Sequence, residues 1–93
     1  MMTGEWKVNP HMETCNLPDD VATLFTEATE SLIGAEYSPV LYPGKQLVSG
    51  CNYMFICKQT LMTVQAETHI VKMVIHKPEN SGQSTVISVE SLF

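Results

Sequence analysis

The residues of this chain best suited to nucleophilic or metal chemistry are three cysteines, at 15, 51 and 57, and three histidines, at 11, 69 and 76. Their spacing argues against both chemistries. Cys51 and Cys57 stand six residues apart, which on one strand puts them on one face about 20 Å apart. That separation is too long for a disulfide. Cys15 reaches either of them only if the fold carries the N-terminal segment across. No CxxC pair suggests zinc or a redox motif. The three cysteines read as small core residues or free thiols. His69 and His76 are seven apart and so fall on opposite faces of one strand, which rules out a local metal pair. His11 stands alone in a linker. A Cys–His nucleophile pair needs Cys51 or Cys57 beside a histidine, and both read as sheet-facing and inert. Glu27 and Glu30, one helical turn apart, read as a solvated face. No Gly-rich phosphate loop is present. The chain is expected to be no enzyme and to carry no metal or cofactor.

Recognition is the better prospect, and it centres on Gln46-Leu47-Val48-Ser49-Gly50. Leu47 and Val48 are apolar, yet they stand at what reads as a hairpin tip, where Ser49 and Gly50 supply the turn. No charged residue lies between Lys45 and Lys58. An apolar, uncharged turn costs little to dehydrate, so it suits insertion into a groove of another protein. The ordinary alternative is a hairpin whose tip folds back on its own core.

Composition narrows the partners. The 93 residues make one domain, 1–93, with 44% apolar and 16% charged residues, a globular balance. About two-thirds of the unfolded surface of such a chain is buried on folding. Net charge is −5, arginine is absent, and the five lysines are scattered. A nucleic-acid partner needs a basic patch, so none is expected. An anionic membrane surface is disfavoured on the same ground, and no apolar run approaches a membrane span. The first residues show no basic region followed by an apolar stretch, so no signal peptide is visible. The expected compartment is cytoplasmic for the chain as given, and extracellular if a leader once preceded it.

The elements that position the tip follow from periodicity. Glu5 to Val8 alternates, with Trp6 and Val8 on one side, and reads as a first strand. Asn9-Pro10 breaks it. Pro18 to Ile33 is expected to be helical, with Pro18 in the first turn and Asp19 and Asp20 favouring its N-terminus. Val21, Leu24, Phe25, Ala28 and Leu32 make one apolar stripe, with Gly34 as the natural terminator. Strands then follow: Glu36 to Tyr42 with Pro39 as an irregularity, Cys51 to about Met62, His69 to His76, and Thr85 to Val89. Turns are expected at Val64–Glu67, with Gln59-Thr60 competing, and at Lys77–Gly82. Cys51, Tyr53, Phe55 and Cys57 share one face of the long strand. Short loops imply antiparallel neighbours, and the single helix stripe must cover one face of the sheet. The expected class is α+β, one helix packed across a curved antiparallel sheet of about five strands.

Gln46-Leu47-Val48-Ser49-Gly50-Cys51-Asn52-Tyr53 resembles the cystatin signature Gln-x-Val-x-Gly followed by a residue and Asn-Tyr. The expected element order is also that of the cystatin and stefin superfamily. Gly4 stands before the first expected strand, where those proteins carry an N-terminal glycine. Lys77-Pro78 falls in the last hairpin, where stefins have Leu-Pro and secreted cystatins Pro-Trp. Tyr37-Ser38-Pro39-Val40 and Phe55-Ile56-Cys57 look most like small bacterial cystatin-like proteins. The resemblance implies a cystatin-like fold and reversible inhibition of papain-like cysteine proteases by a wedge of three segments. On that implication Met2, Thr3 and Gly4 form the N-terminal arm. Gln46, Leu47, Val48, Ser49 and Gly50 press beside the catalytic cysteine, and His76, Lys77 and Pro78 cover the primed side. This sequence departs from the pattern in its charged Lys77 and in having no tryptophan after Pro78. The alternative is a non-inhibitory binding or assembly module on the same fold. The oligomeric expectation is a monomer or a dimer that exchanges strands by opening the 46–50 hairpin.

Overall fold

Pro18 starts the helix from outside: its φ of −53° and ψ of 148° are extended, so it is the N-cap of α1, Asp19–Thr29. No side chain caps that end, but Asp19 and Asp20 stand in the first turn, where the helix dipole favours carboxylates. The threonines that lower helix propensity are accommodated by back-bonding. Thr23 Oγ1 donates to the Asp19 carbonyl at 3.0 Å and Thr29 Oγ1 to the Phe25 carbonyl at 2.8 Å. The computed structural model describes residues 6, 8–9, 13–80 and 82–93. The helix ends four residues before the expected Ile33. Leu32 therefore lies beyond it, although Leu32 still packs against the core.

Four strands follow: β1 Ala35–Val48, β2 Gly50–Leu61, β3 Thr68–Lys77 and β4 Thr85–Ser91. They form one antiparallel sheet in the order β1-β2-β3-β4. Every connection is therefore a hairpin between neighbours, as the short loops require. The sheet has four strands among the described residues rather than about five. Trp6, Val8 and Asn9 are not in a strand, while Glu5 and Lys7 lie outside the described residues. A two-residue alternation is too little to fix a strand. What meets the outer edge of β1 instead is the expected linker, where the Cys15 N–H donates to the Pro39 carbonyl at 3.0 Å.

The core sits between α1 and the sheet. Val21, Leu24, Phe25 and Ala28 are buried against Phe55, Cys57, Val71, Met73 and Ile75. Register explains the match. Phe55 pairs with Met73 and Cys57 with Val71, so the buried rows of β2 and β3 run side by side. Phe25 meets Phe55 edge-on with ring centroids 5.0 Å apart, an arrangement that adds about 1 kcal/mol beyond area burial. The opposite face of the sheet carries Asn52, Met54, Ile56 and Lys58, and no helix among the described residues covers it. Beyond β4, the chain end returns to β3: Ile70 N–H donates to the Phe93 carbonyl at 2.8 Å.

The irregular part of β1 shapes the end of the sheet. Its pairing with β2 shifts between Pro39 and Leu41 and again between Leu41 and Gly44. The extra residues let Tyr42 turn inward, where its ring stacks 5.3 Å from Phe55 and 6.4 Å from Tyr53. The second bulge thus falls at Tyr42 and Pro43, and β1 continues from Gly44 to the tip.

Candidate functional site

Val48 pairs with Gly50, which leaves Ser49 alone at the end of the β1–β2 hairpin. So tight a reversal needs a residue with positive φ, and Gly50 supplies it at +97°. The neighbouring hairpin explains why only glycine fits. A Cβ on Gly50 would collide with the Lys77 carbonyl oxygen and stand 3.1 Å from both Pro78 Cα and the Glu79 nitrogen. The β3–β4 turn therefore lies directly against the β1–β2 tip. Gln46, Leu47, Val48, Ser49 and Gly50 share one end of the molecule with His76, Lys77 and Pro78.

The tip stays out of the core. Leu47 is 81% exposed and Val48 43%. Two large aliphatic side chains exposed at a tight turn have no partner among the described residues to explain them. The turn is held by polar groups on the open face of the sheet. His76 Nδ1 lies 2.7 Å from Asn52 Oδ1, and Asn52 Nδ2 donates to Gln46 Oε1 at 3.3 Å. One cross-strand row thus links β1, β2 and β3 through side chains in addition to the backbone ladder. Beside it a groove of about 400 Å³ opens between Pro43, Gly44, Gln46, Asn52, Met54 and Val74. Gly44 leaves that space open, since no atom lies within 4 Å of where its Cβ would be.

The other side of the tip carries two lysines, with the Asp20 carboxylate close enough to act on Tyr42 and Tyr53. Lys45 pairs with Tyr53 and Lys77 with Cys51, which places both lysines on the helix side of the sheet end. Burial pushes the Tyr42 and Tyr53 phenols above their ordinary range, with the Cys51 thiol adding to the effect. Cys57, fully buried behind them, has its thiol pushed up to about 12 by burial, with Cys15 a lesser cause. It is a core residue and no nucleophile at neutral pH. Cys15, Cys51 and Cys57 are all free thiols.

Glu27, which its helical position assigns to a solvated face, instead accepts the Ser84 N–H on its Oε1 at 3.1 Å. Ser84 is 2% exposed, so Glu27 ties the base of the β3–β4 turn to α1. Glu27 follows Leu24 by three positions and flanks the apolar stripe, a weak hint of burial. Nothing local announces a partner 57 residues away.

The N-terminal arm expected from the resemblance, Met2, Thr3 and Gly4, lies outside the described residues. The nearest described residue, Trp6, has its ring 6.1 Å from that of Phe93. Phe93 pairs with Ile70, seven residues along β3 from Lys77, or about 23 Å. His69 and His76 stand apart at the two ends of β3. His69 lies 3.7 Å from Glu67 and His76 bonds Asn52. Among the described residues no group of three His, Cys, Asp or Glu could hold a metal ion. Among them, too, no helix is long and apolar enough to cross a membrane. No family model, no curated protein and no solved structure matches this chain.

Proposed function

We propose that this protein is a cystatin-like, reversible inhibitor of papain-family cysteine proteases. Its blocking edge is the Gln46–Gly50 tip together with His76, Lys77 and Pro78. The observation that carries the reading is the seating of an exposed Leu47–Val48 tip directly against the Lys77–Pro78 turn. Two adjacent hairpins held by a hydrogen-bonded row form a preorganised blade, and preorganisation is what lets a small apolar surface bind tightly. The sequence pattern Gln-x-Val-x-Gly-x-Asn-Tyr and a single helix over an antiparallel sheet add to it. The two hairpins are the main contact. Met2, Thr3 and Gly4 make a smaller contribution, because the Trp6 ring stands 6.1 Å from that of Phe93, which pairs with Ile70 at the far end of β3.

The test is a titration of papain and a cathepsin-type protease with the protein. Activity falls with added protein and returns on dilution. Val48→Asp raises the inhibition constant at least tenfold, about 1.4 kcal/mol, whereas deletion of residues 1–4 raises it less. Undiminished activity of both proteases at micromolar protein rejects the reading. Partner binding indifferent to Val48 would favour a non-inhibitory module of the same fold.

A further inference from the structure

We infer that the groove beside the tip is a socket for one uncharged, apolar side chain from the rim of the inhibited protease's cleft, and that Gly44 keeps it open. This rests on the proposed inhibitory edge and names the chemistry of one of its contacts. Gly44 is a glycine that nothing among the described residues requires. It stands inside β1, where glycine weakens a strand relative to alanine. Its φ is not positive, unlike that of Gly34 and Gly50. The bulge before it falls at Tyr42 and Pro43, and from Gly44, opposite Met54, the pairing with β2 is regular to the tip. No atom of the described residues lies within 4 Å of the place its Cβ would take. Neither backbone conformation nor packing excludes a side chain here. A strand glycine of this kind marks the close approach of something from outside the strand.

What Gly44 leaves open is a groove of about 400 Å³, room for one large side chain. Met54 and Val74, paired across β2 and β3, and Pro43 give it apolar walls. Gln46 and Asn52 wall it toward the tip, fixed by the bond between them and by His76 on Asn52. The socket is therefore formed before the partner arrives, which lowers the cost of filling it. Its occupant is apolar because a charged group would give up its hydration against Pro43, Met54 and Val74. Lys45, the one charged residue along the groove, pairs with Tyr53 and so directs its side chain to the opposite face. The occupant comes from the protease because the groove is continuous with the blocking edge. Gln46 is at once a wall of the groove and the first residue of the tip. A body that receives Leu47 and Val48 also covers Gln46, and a hollow left empty beneath it would forfeit contacts on every wall.

The experiment compares Gly44→Ala and Gly44→Leu with the wild type in thermal stability and in association with and dissociation from papain. Gly44→Ala raises the melting temperature by about 2–6 °C, because the site accepts a Cβ. It weakens inhibition about threefold, and Gly44→Leu, which fills the groove, weakens it at least about tenfold with no fall in melting temperature. The loss lies in faster dissociation. Met54→Ala, which removes a wall and obstructs nothing, weakens inhibition about three- to tenfold. Leu41→Ala, on the same face of β1 but outside the groove, stays within about twofold of wild type. Inhibition by Gly44→Leu equal to that of the wild type overturns the inference while the inhibition stands. A melting temperature lowered by Gly44→Ala overturns it too, since the glycine then serves its own chain. So does a loss at Leu41→Ala as large as that at Met54→Ala. A wild-type dimer in sedimentation that Gly44→Leu turns into a monomer gives the groove to a second copy and likewise overturns it. If the wild type inhibits neither papain nor a cathepsin-type protease, the edge itself falls and the inference with it.

Discussion

Gly50 and Lys77 touch backbone to backbone, and this contact makes one edge out of two hairpins. The Lys77 carbonyl occupies the space where any side chain at position 50 would begin, and Pro78 and Glu79 close the space behind it. Gly50→Ala therefore meets two obstacles, a φ of +97° and a collision with rigid backbone. Together they cost about 2–4 kcal/mol. The expected result is a lower urea midpoint and an inhibition constant raised beyond what the stability loss explains, because the two turns are forced apart.

Glu27→Ala takes the acceptor away from a buried N–H. Ser84 is 2% exposed, so water does not readily replace the carboxylate. The loss is about 1–3 kcal/mol. Hydrogen exchange at the Ser84 amide should accelerate while amides in the centre of β2 change only with global stability. An unchanged Ser84 rate contradicts the tether.

Phe55→Ala removes the ring that both Phe25 and Tyr42 pack on. With Phe55 wholly buried, the expected loss is about 3–5 kcal/mol, enough to unfold much of a domain this size. Calorimetry measures it. A loss under about 1 kcal/mol would mean the core lies elsewhere.

Cys57 sets an alkaline limit. Burial pushes its thiol from the ordinary 9.0 up to about 12 in the folded chain. Between those values the folded chain holds one more proton than the unfolded chain. Stability from this group is complete below pH 9 and declines as pH rises toward 12, by at most about 1.4 kcal/mol per unit. Tyr42 and Tyr53, also shifted upward, push in the same direction. Denaturant midpoints for the wild type should fall from pH 8 to pH 10 more steeply than those of Cys57→Ala. In the native protein at pH 8, a thiol reagent should label Cys15 and Cys51 and spare Cys57.

Much of this architecture is legible in the sequence because it follows from periodicity. The stripe Val21, Leu24, Phe25, Ala28 and the row Tyr53, Phe55, Cys57 both face the core, since helix and strand repeats are fixed by backbone geometry. The β4 strand and the tip at Ser49 fall where turn residues place them. What escaped depends on contacts distant in sequence. The bulge between Leu41 and Gly44 lets Tyr42 stack on Phe55 while the strand runs on to the tip. Gly34 looked like the helix terminator. It follows a helix that already ended at Thr29, and its carbonyl accepts the Met62 N–H instead. Trp6 and Val8 suggested a strand because alternation says nothing about whether a partner edge is vacant, and the segment at Cys15 meets the β1 edge. In the candidate site, Leu47 and Val48 were visible as apolar turn residues. The hydrogen-bonded row from Gln46 through Asn52 to His76 was not, because it depends on the register of three strands.

The most direct measurement is hydrogen exchange of this protein free and bound to papain. The account expects slowed exchange at the amides of residues 46–52 and 76–80, with α1 and the first residues of β3 unchanged. Protection on the helix or at the Ile70–Phe93 end, with the two turns exchanging as freely as before, would contradict it.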